Sequence, residues 1–237
     1  VSTAPDLSEE MEAFDSGAQI VAGIDEVGRG AWAGPVSVGV VAIDSRAGSA
    51  PARVRDSKAL TRSVREALVP EIRSWALSSS VGHATARECD LLGMRAAIAL
   101  ASSRALDELG VSADVVIVDG PLDLLEADSL FFGDLVAAHT WRRKAPRVVP
   151  VVKGDQRCAT VAAASVLAKV ARDQMMASWS PSYPGFDFDR NVGYPSQSHQ
   201  RALRGYGLTS IHRSSWSYLE AIPWLTGQPK ATAKPAQ

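Results

Sequence analysis

Cysteine is scarce in this chain of 237 residues: Cys89 and Cys158 are the only two, far apart and without a C-x-x-C neighbour. That excludes a disulfide framework, speaks against a cysteine-held zinc site, and leaves both thiols as small buried or half-buried residues. Long apolar runs are missing as well, since nothing approaches the roughly 18 residues of a membrane span. The N-terminal residues carry Asp6, Glu9, Glu10 and Glu12 and lack the basic and apolar regions of a secretory leader. A cytoplasmic protein with no membrane partner is the default expectation. There is no internal repeat. Net charge is nearly absent too, at −1, which argues against a nucleic-acid partner until the charge is divided along the chain.

So divided, residues 1–141 hold 11 basic and 21 acidic residues, a balance of −10, and residues 142–213 hold 12 basic and 4 acidic, a balance of +8. The second stretch has the electrostatic footprint expected for phosphate binding, although a solvated basic face would look the same. A hydrophobic share of 46% supplies enough apolar material for a full core, and the length suits one large domain.

The most informative stretch is Ile20 to Val36, IVAGIDEVGRGAWAGPV. Its apolar start predicts a buried strand. Asp25 and Glu26, adjacent on an extended chain, would point to opposite faces. Gly28, Gly30 and Gly34 then allow a sharp turn and the close approach of a phosphate or sugar. An isolated D-E pair more often just ends a strand in water. This string, however, resembles the signature of the type 2 ribonuclease H family, bacterial ribonuclease HII, which reads A-G-[IV]-D-E-[AV]-G-R-G-x-x-A-G-P-V. Ala31-Trp32 stands where the family often has Pro-Leu.

Further matches follow in family order. Val36 to Ile43 predicts a second strand pairing antiparallel with the first. Asp56-Ser57-Lys58 is the family's D-S-K, which there grips the nucleic-acid backbone, and it precedes a helix from about Thr61 to Leu77 interrupted or restarted at Pro70. Ser80 to Ala86 fits a third strand. Glu88 to Leu109 predicts one amphipathic helix with Leu91, Leu92, Ile98, Leu106 and Leu109 inward, stopped by Gly110. The β-branched run Val115 to Val118 predicts a central strand ending in Asp119-Gly120, the family's third carboxylate position. Val148 to Val152 is a fifth strand, with Pro150 marking an edge or bulge, and Lys153-Gly154-Asp155 matches the family's K-G-D. Thr160 to Trp179, with A-A-A-S at its centre, predicts a close-packed helix. Lys169 and Asp173 on it suit an ordinary surface pair. Asn191-Val192-Gly193-Tyr194, a helix around His199 to Arg204, and His212-Arg213-Ser214-Ser215-Trp216 complete the pattern.

The resemblance, spanning about Ala18 to Trp224, implies an α/β fold: a ribonuclease-H-like mixed five-stranded sheet, three strands antiparallel and two parallel, flanked by helices, with a C-terminal helical extension. The expected division is an N-terminal arm over 1–17, a catalytic domain over 18–178 with a mobile insertion at 121–147, the extension over 179–225, and a disordered tail over 226–237. It implies Asp25, Glu26, Asp119 and Asp155 as catalytic metal ligands. Oxygen-only ligands select Mg2+ or Mn2+ rather than zinc, and two ions about 4 Å apart suit phosphodiester hydrolysis. Gly28, Arg29, Gly30 and Tyr194 would read the ribose, with Ser57 and Lys58 on the backbone. The implied partners are RNA·DNA hybrids and duplex DNA containing single ribonucleotides, cut by a monomer to leave 5′-phosphate and 3′-hydroxyl ends. Two rival readings are a related metal nuclease acting on DNA junctions, which would have no use for the G-R-G and tyrosine pairing, and a nonenzymatic nucleic-acid-binding protein, which would have no use for four intact acids.

Overall fold

A computed structural model describes residues 4–120 and 146–218 of the chain. Its centre is strand β1 (Ile20–Val27), which pairs antiparallel with β2 (Val36–Asp44) and parallel with β4 (Val115–Asp119). β3 (Ser78–Ala84) extends the sheet beyond β2 in antiparallel sense, and β5 (Arg147–Val151) extends it beyond β4 in parallel sense, giving the order β3-β2-β1-β4-β5. The mixed five-stranded sheet is the one the sequence implied. Pro150 lies on the terminal strand β5, where a missing N–H interrupts no central ladder.

Helices cover both faces. Ala22, Ile24, Val38, Val40, Val116 and Val118 pack on one side against Ala97, Ala101 and Leu106 of α4 (Met94–Glu108). On the other side lies α6 (Ala159–Trp179), backed by α2 (Arg62–Trp75), with Val41, Leu68, Ile72 and Ala162–Ala164 in contact. The alanines of α6 and the glycines of the sheet are matched: a Cβ on Gly39 would collide with the carbonyl oxygen of Ala164. Small residues on both surfaces therefore bring α6 close onto β1 and β2. The short helix α1 (Ser8–Asp15) joins the same layer through the buried Glu10 carboxylate, which accepts from Thr160 N at 2.9 Å and Thr160 Oγ1 at 2.7 Å. Beyond α6 come the short α7 (Phe188–Asn191) and α8 (Gln197–Tyr206), whose core is Phe186, Phe188, Leu203 and Met176. No helix among the described residues is long and apolar enough to cross a membrane, and both cysteines are free and buried.

Several local expectations need correction. α2 runs unbroken through Pro70, which lies on its exposed side, where water can satisfy the carbonyl the ring leaves unbonded. The third strand ends two residues early because Thr85 caps a helix: its hydroxyl accepts from Glu88 N, and Glu88 Oε2 accepts from Thr85 N. The expected single helix is therefore two, α3 (Ala86–Leu92) and α4, separated at Gly93 with φ 79°. The break changes the helical phase. Cys89 is turned inward, while Leu91 and Leu92 are 71% and 51% exposed. The insertion expected at 121–147 falls almost wholly outside the described residues, as does the tail at 226–237.

Candidate active site

Strands β1 and β4 run in parallel with Ile24 opposite Val118, so the residues that follow, Asp25 and Asp119, reach the same end of the sheet. Strand alternation separates the two adjacent acids as expected. Val21 faces the α6 layer and Ala22 and Ile24 face α4, which puts Asp25 toward α6 and Glu26 on the opposite face. Asp25 is 7% exposed and lies beside the Ser165 hydroxyl of α6, which favours its charged form. Ser165 Oγ lies 2.9 Å from Ser57 Oγ. Ser57, expected at the substrate, is thus buried behind Asp25's partner, whereas the neighbouring Lys58 is exposed.

The other two acids come from β4 and the turn after β5. Asp119 Oδ1 accepts from Gly154 N at 2.7 Å. Lys153 adopts the left-handed conformation, φ 58°, and starts the single-turn helix α5 (Gly154–Arg157) that carries the buried Asp155. Lys58 Nζ stands 3.8 Å from Asp155 Oδ2, and Arg29 Nη1 stands 3.7 Å from Glu26 Oε1.

These carboxylates disturb one another. Burial, then the charge of Glu26, then those of Asp119 and Asp155 push the Asp25 carboxyl up to about 8, with the Ser165 hydroxyl opposing. Burial raises Glu26, with Arg29 opposing and Asp119 adding. Burial and then Asp119 raise Asp155, with Lys58 opposing. Lys58 is itself raised: its partial burial disfavours the charge, but Asp56, Asp155, Asp25 and Asp119 outweigh it. Acids crowded enough to raise Asp25, Glu26 and Asp155, offering oxygen donors only, have the donor chemistry of a hard divalent cation site. Among the described residues, no group of three or more His, Cys, Asp or Glu side chains is arranged so that it could hold a metal ion; the cations that meet the acids are those of Lys58 and Arg29.

Beside the acids lies the glycine loop. Gly28 has φ 90°, and a Cβ there would collide with the Arg172 guanidinium, so this glycine serves the packing of the turn. Arg29 and Gly30 are exposed. Tyr194 is half-buried next to them: its ring Cε1 would lie 3.9 Å from a Cβ on Gly30, and Lys169 Nζ lies 5.7 Å from the ring centroid. The structure thus brings Gly28, Arg29, Gly30 and Tyr194 together. Trp32 N and Ala33 N both donate to Gly193 O, fastening the loop to the tyrosine segment.

Sequence reasoning missed the polar interior behind this surface. Lys169 and Asp173 form a pair at 2.8 Å with side chains only 15% and 9% exposed, not a surface pair, and Arg65 joins them at 3.6 Å from Asp173. Arg172 and Arg213 are 0% exposed, so the +8 balance of residues 142–213 overstates the basic surface. His199 and His212 are buried with Nε2 atoms 2.9 Å apart. Thr209 N donates to His212 Nδ1, so His212 Nε2 carries the proton toward His199, and His199 Nδ1 donates to Tyr194 O at 2.9 Å. Burial, then His199, hold His212 down at about 3. The one available signal was the recurrence of A-A-A-S and H-R-x-S-W beside the acidic motifs; it marked positions without saying what they touch.

Comparison with known proteins agrees with this geometry. The family model for ribonuclease HII matches residues 22–219. Ribonuclease HII of Streptomyces coelicolor is 48% identical over 208 residues, covering 88% of this chain and 81% of that protein. Among solved structures, ribonuclease H2 from Pyrococcus horikoshii OT3 superposes with a TM-score of 0.68 at 28% identity, over 88% of this chain and 100% of that one. Bst-RNase HIII in complex with Mn2+ shares the fold, with a TM-score of 0.63 at 20% identity over 91% of this chain and 72% of that one. With a family model spanning most of its length and a relative this similar, the chain belongs to the ribonuclease HII family and is a type 2 ribonuclease H.

Proposed function

We propose that this ribonuclease H is a metal-dependent endonuclease that hydrolyses the RNA strand of RNA·DNA hybrids and cuts duplex DNA at single embedded ribonucleotides, leaving 5′-phosphate and 3′-hydroxyl ends. The observation that carries the reading is the placement of four mutually repelling carboxylates, Asp25, Glu26, Asp119 and Asp155, next to an exposed glycine loop and a tyrosine. These acids would hold Mg2+ or Mn2+, and the relative crystallised with Mn2+ supports that ion class. When bound, such ions would neutralise the acids, activate water and stabilise the departing 3′ oxygen.

The chain's own residues have separate tasks. Ser165, fixed by its hydrogen bond to the buried Ser57, stands beside Asp25; Gly154 N holds Asp119. Lys58, exposed and facing Asp155, would meet a backbone phosphate. Arg29 and Gly30 present main-chain groups to the ribose 2′-hydroxyl, the group that separates RNA from DNA at one position. Tyr194 packs against the sugar. The protein acts as a monomer in this reading.

The test is cleavage of a labelled DNA duplex holding one ribonucleotide, with an all-DNA duplex as control, with and without Mg2+ or Mn2+. Cutting confined to the ribonucleotide and dependent on metal is the expected result. Cutting of the all-DNA duplex at a similar rate would replace the reading with a general metal nuclease, and no cutting in either metal would leave a binding protein.

A further inference from the structure

Two arginines are fully buried behind the glycine loop, and among the described residues neither has a carboxylate at ion-pair distance. Burying a guanidinium without an anion is costly unless its donors are well used. Here they are used on main-chain carbonyls. Arg172 donates from Nε to Pro35 O at 2.8 Å, from Nη2 to Ala33 O at 3.0 Å and from Nη1 to Val192 O at 2.8 Å. Arg213 donates from Nε to Gly34 O at 3.2 Å and from Nη1 to Arg29 O at 3.0 Å. Trp32 O is taken by Arg213 N at 2.9 Å, while the Tyr218 hydroxyl donates to Arg213 O at 3.0 Å. Carbonyls of Arg29, Trp32, Ala33, Gly34 and Pro35 are therefore all held from inside the protein.

This arrangement has a stereochemical consequence. In a planar trans peptide, the N–H of the following residue points opposite to the C=O. Drawing the Arg29 carbonyl inward with Arg213 turns the Gly30 N–H outward, at an exposed residue whose amide has no hydrogen-bond partner among the described residues. Arg172 extends the same hold to the other side of the site, since the carbonyl of Val192 precedes Gly193-Tyr194 and its guanidinium carbon lies 5.6 Å from the Tyr194 ring centroid. Among the described residues Arg213 Nη2 has no hydrogen-bond partner, and the guanidinium carbon lies 5.0 Å from the Trp216 ring centroid. A residue optimised for stability alone would not leave that donor unused.

We infer that Arg172 and Arg213 are positioning residues for ribose selection, with Arg213 aiming the Gly30 amide at the substrate sugar. The inference rests on the proposed ribose-reading role of the loop. Lysine in place of Arg213 keeps the charge but has one nitrogen, so it cannot hold Arg29 O and Gly34 O with a fixed fork.

The test uses the full chain under single-turnover conditions in Mg2+. It measures the half-saturation concentration and maximal rate for a labelled duplex with one ribonucleotide, and the inhibition constant of an unlabelled all-DNA duplex. Their ratio reports sugar selectivity independently of the fraction of active protein. In Arg213→Lys the ratio should fall about tenfold and the maximal rate by about 10- to 100-fold. Leu68→Ala, a core change under α2, should lower the melting temperature and leave the ratio unaltered. If Arg213→Ala folds, added guanidinium should restore part of the ratio. A selective wild type with an unchanged ratio in Arg213→Lys overturns the inference alone. A wild type whose ratio is near one overturns the ribose-reading role of the loop and the inference with it.

Discussion

Replacing Asp25 with asparagine should make the metal-free protein more stable, and increasingly so as pH rises. An aspartate normally titrates near 3.8, whereas burial and the neighbouring acids push Asp25 up to about 8 in the folded state. The folded protein therefore holds a proton that the unfolded chain has released. Stability falls with rising pH between those two values and levels off above the folded one. At pH 7 about three units of this interval have been crossed, which at roughly 1.4 kcal/mol per unit is about 4 kcal/mol. Asparagine removes that penalty but weakens the favourable contact with the Ser165 hydroxyl, at a cost of about 1–2 kcal/mol. The net gain at pH 7 should be about 2–3 kcal/mol, or about 5–10 °C in melting temperature for a domain of this size. The measurement is thermal or urea unfolding of both proteins in EDTA from pH 4 to pH 8. The difference between them should be smallest near pH 4 and grow toward pH 8, and adding Mg2+ or Mn2+ should stabilise the wild type more than the variant. Parallel curves across that range, or a variant that is the less stable at pH 8, would refute the argument that charge crowding governs this position.

Asp119→Asn should keep its fold, because the amide oxygen can still accept from Gly154 N, and should lose turnover; near-wild-type cleavage would remove Asp119 from the site. Tyr194→Ala should lose single-turnover rate on the order of 10²-fold with little loss of binding, and the deficit should be worse on a single embedded ribonucleotide than on a long hybrid, where other registers can bind. Equal losses on both substrates would make Tyr194 a packing residue. Duplex affinity should fall with salt, but less steeply than 12 basic residues would dictate, because Arg172 and Arg213 are internal; a flat response would refute a basic binding face. Burial and His199 hold His212 at about 3, so the folded state binds fewer protons than the unfolded chain between that value and about 6.5. Stability should therefore decline as pH falls through this window, and His212→Gln should flatten that part of the acid-unfolding curve.

What the sequence determined by itself was the sheet and its acids. The short, β-branched runs at Ile20, Val36, Val115 and Val148 favour strands, and period-two alternation puts Asp25 and Glu26 on opposite faces. Motif order pointed to Asp119 and Asp155, and the fold brings both near Asp25. What only the tertiary structure decided was everything that depends on which surface a polar residue meets. Arg172 and Arg213 read as surface cations in a one-dimensional charge count and are instead fully buried against loop carbonyls. Lys169 and Asp173, four apart on a helix, are an ordinary exposed pair in sequence and a nearly buried one in the fold. Leu91 and Leu92 fit the apolar stripe of one long helix, but Gly93 breaks the phase and leaves them in solvent. Local pattern governs backbone conformation and the direction of an apolar face; the partner of a buried charge comes from a chain segment far away in sequence, as when Arg213 reaches Arg29 across 184 positions, and only the packed chain brings the two together.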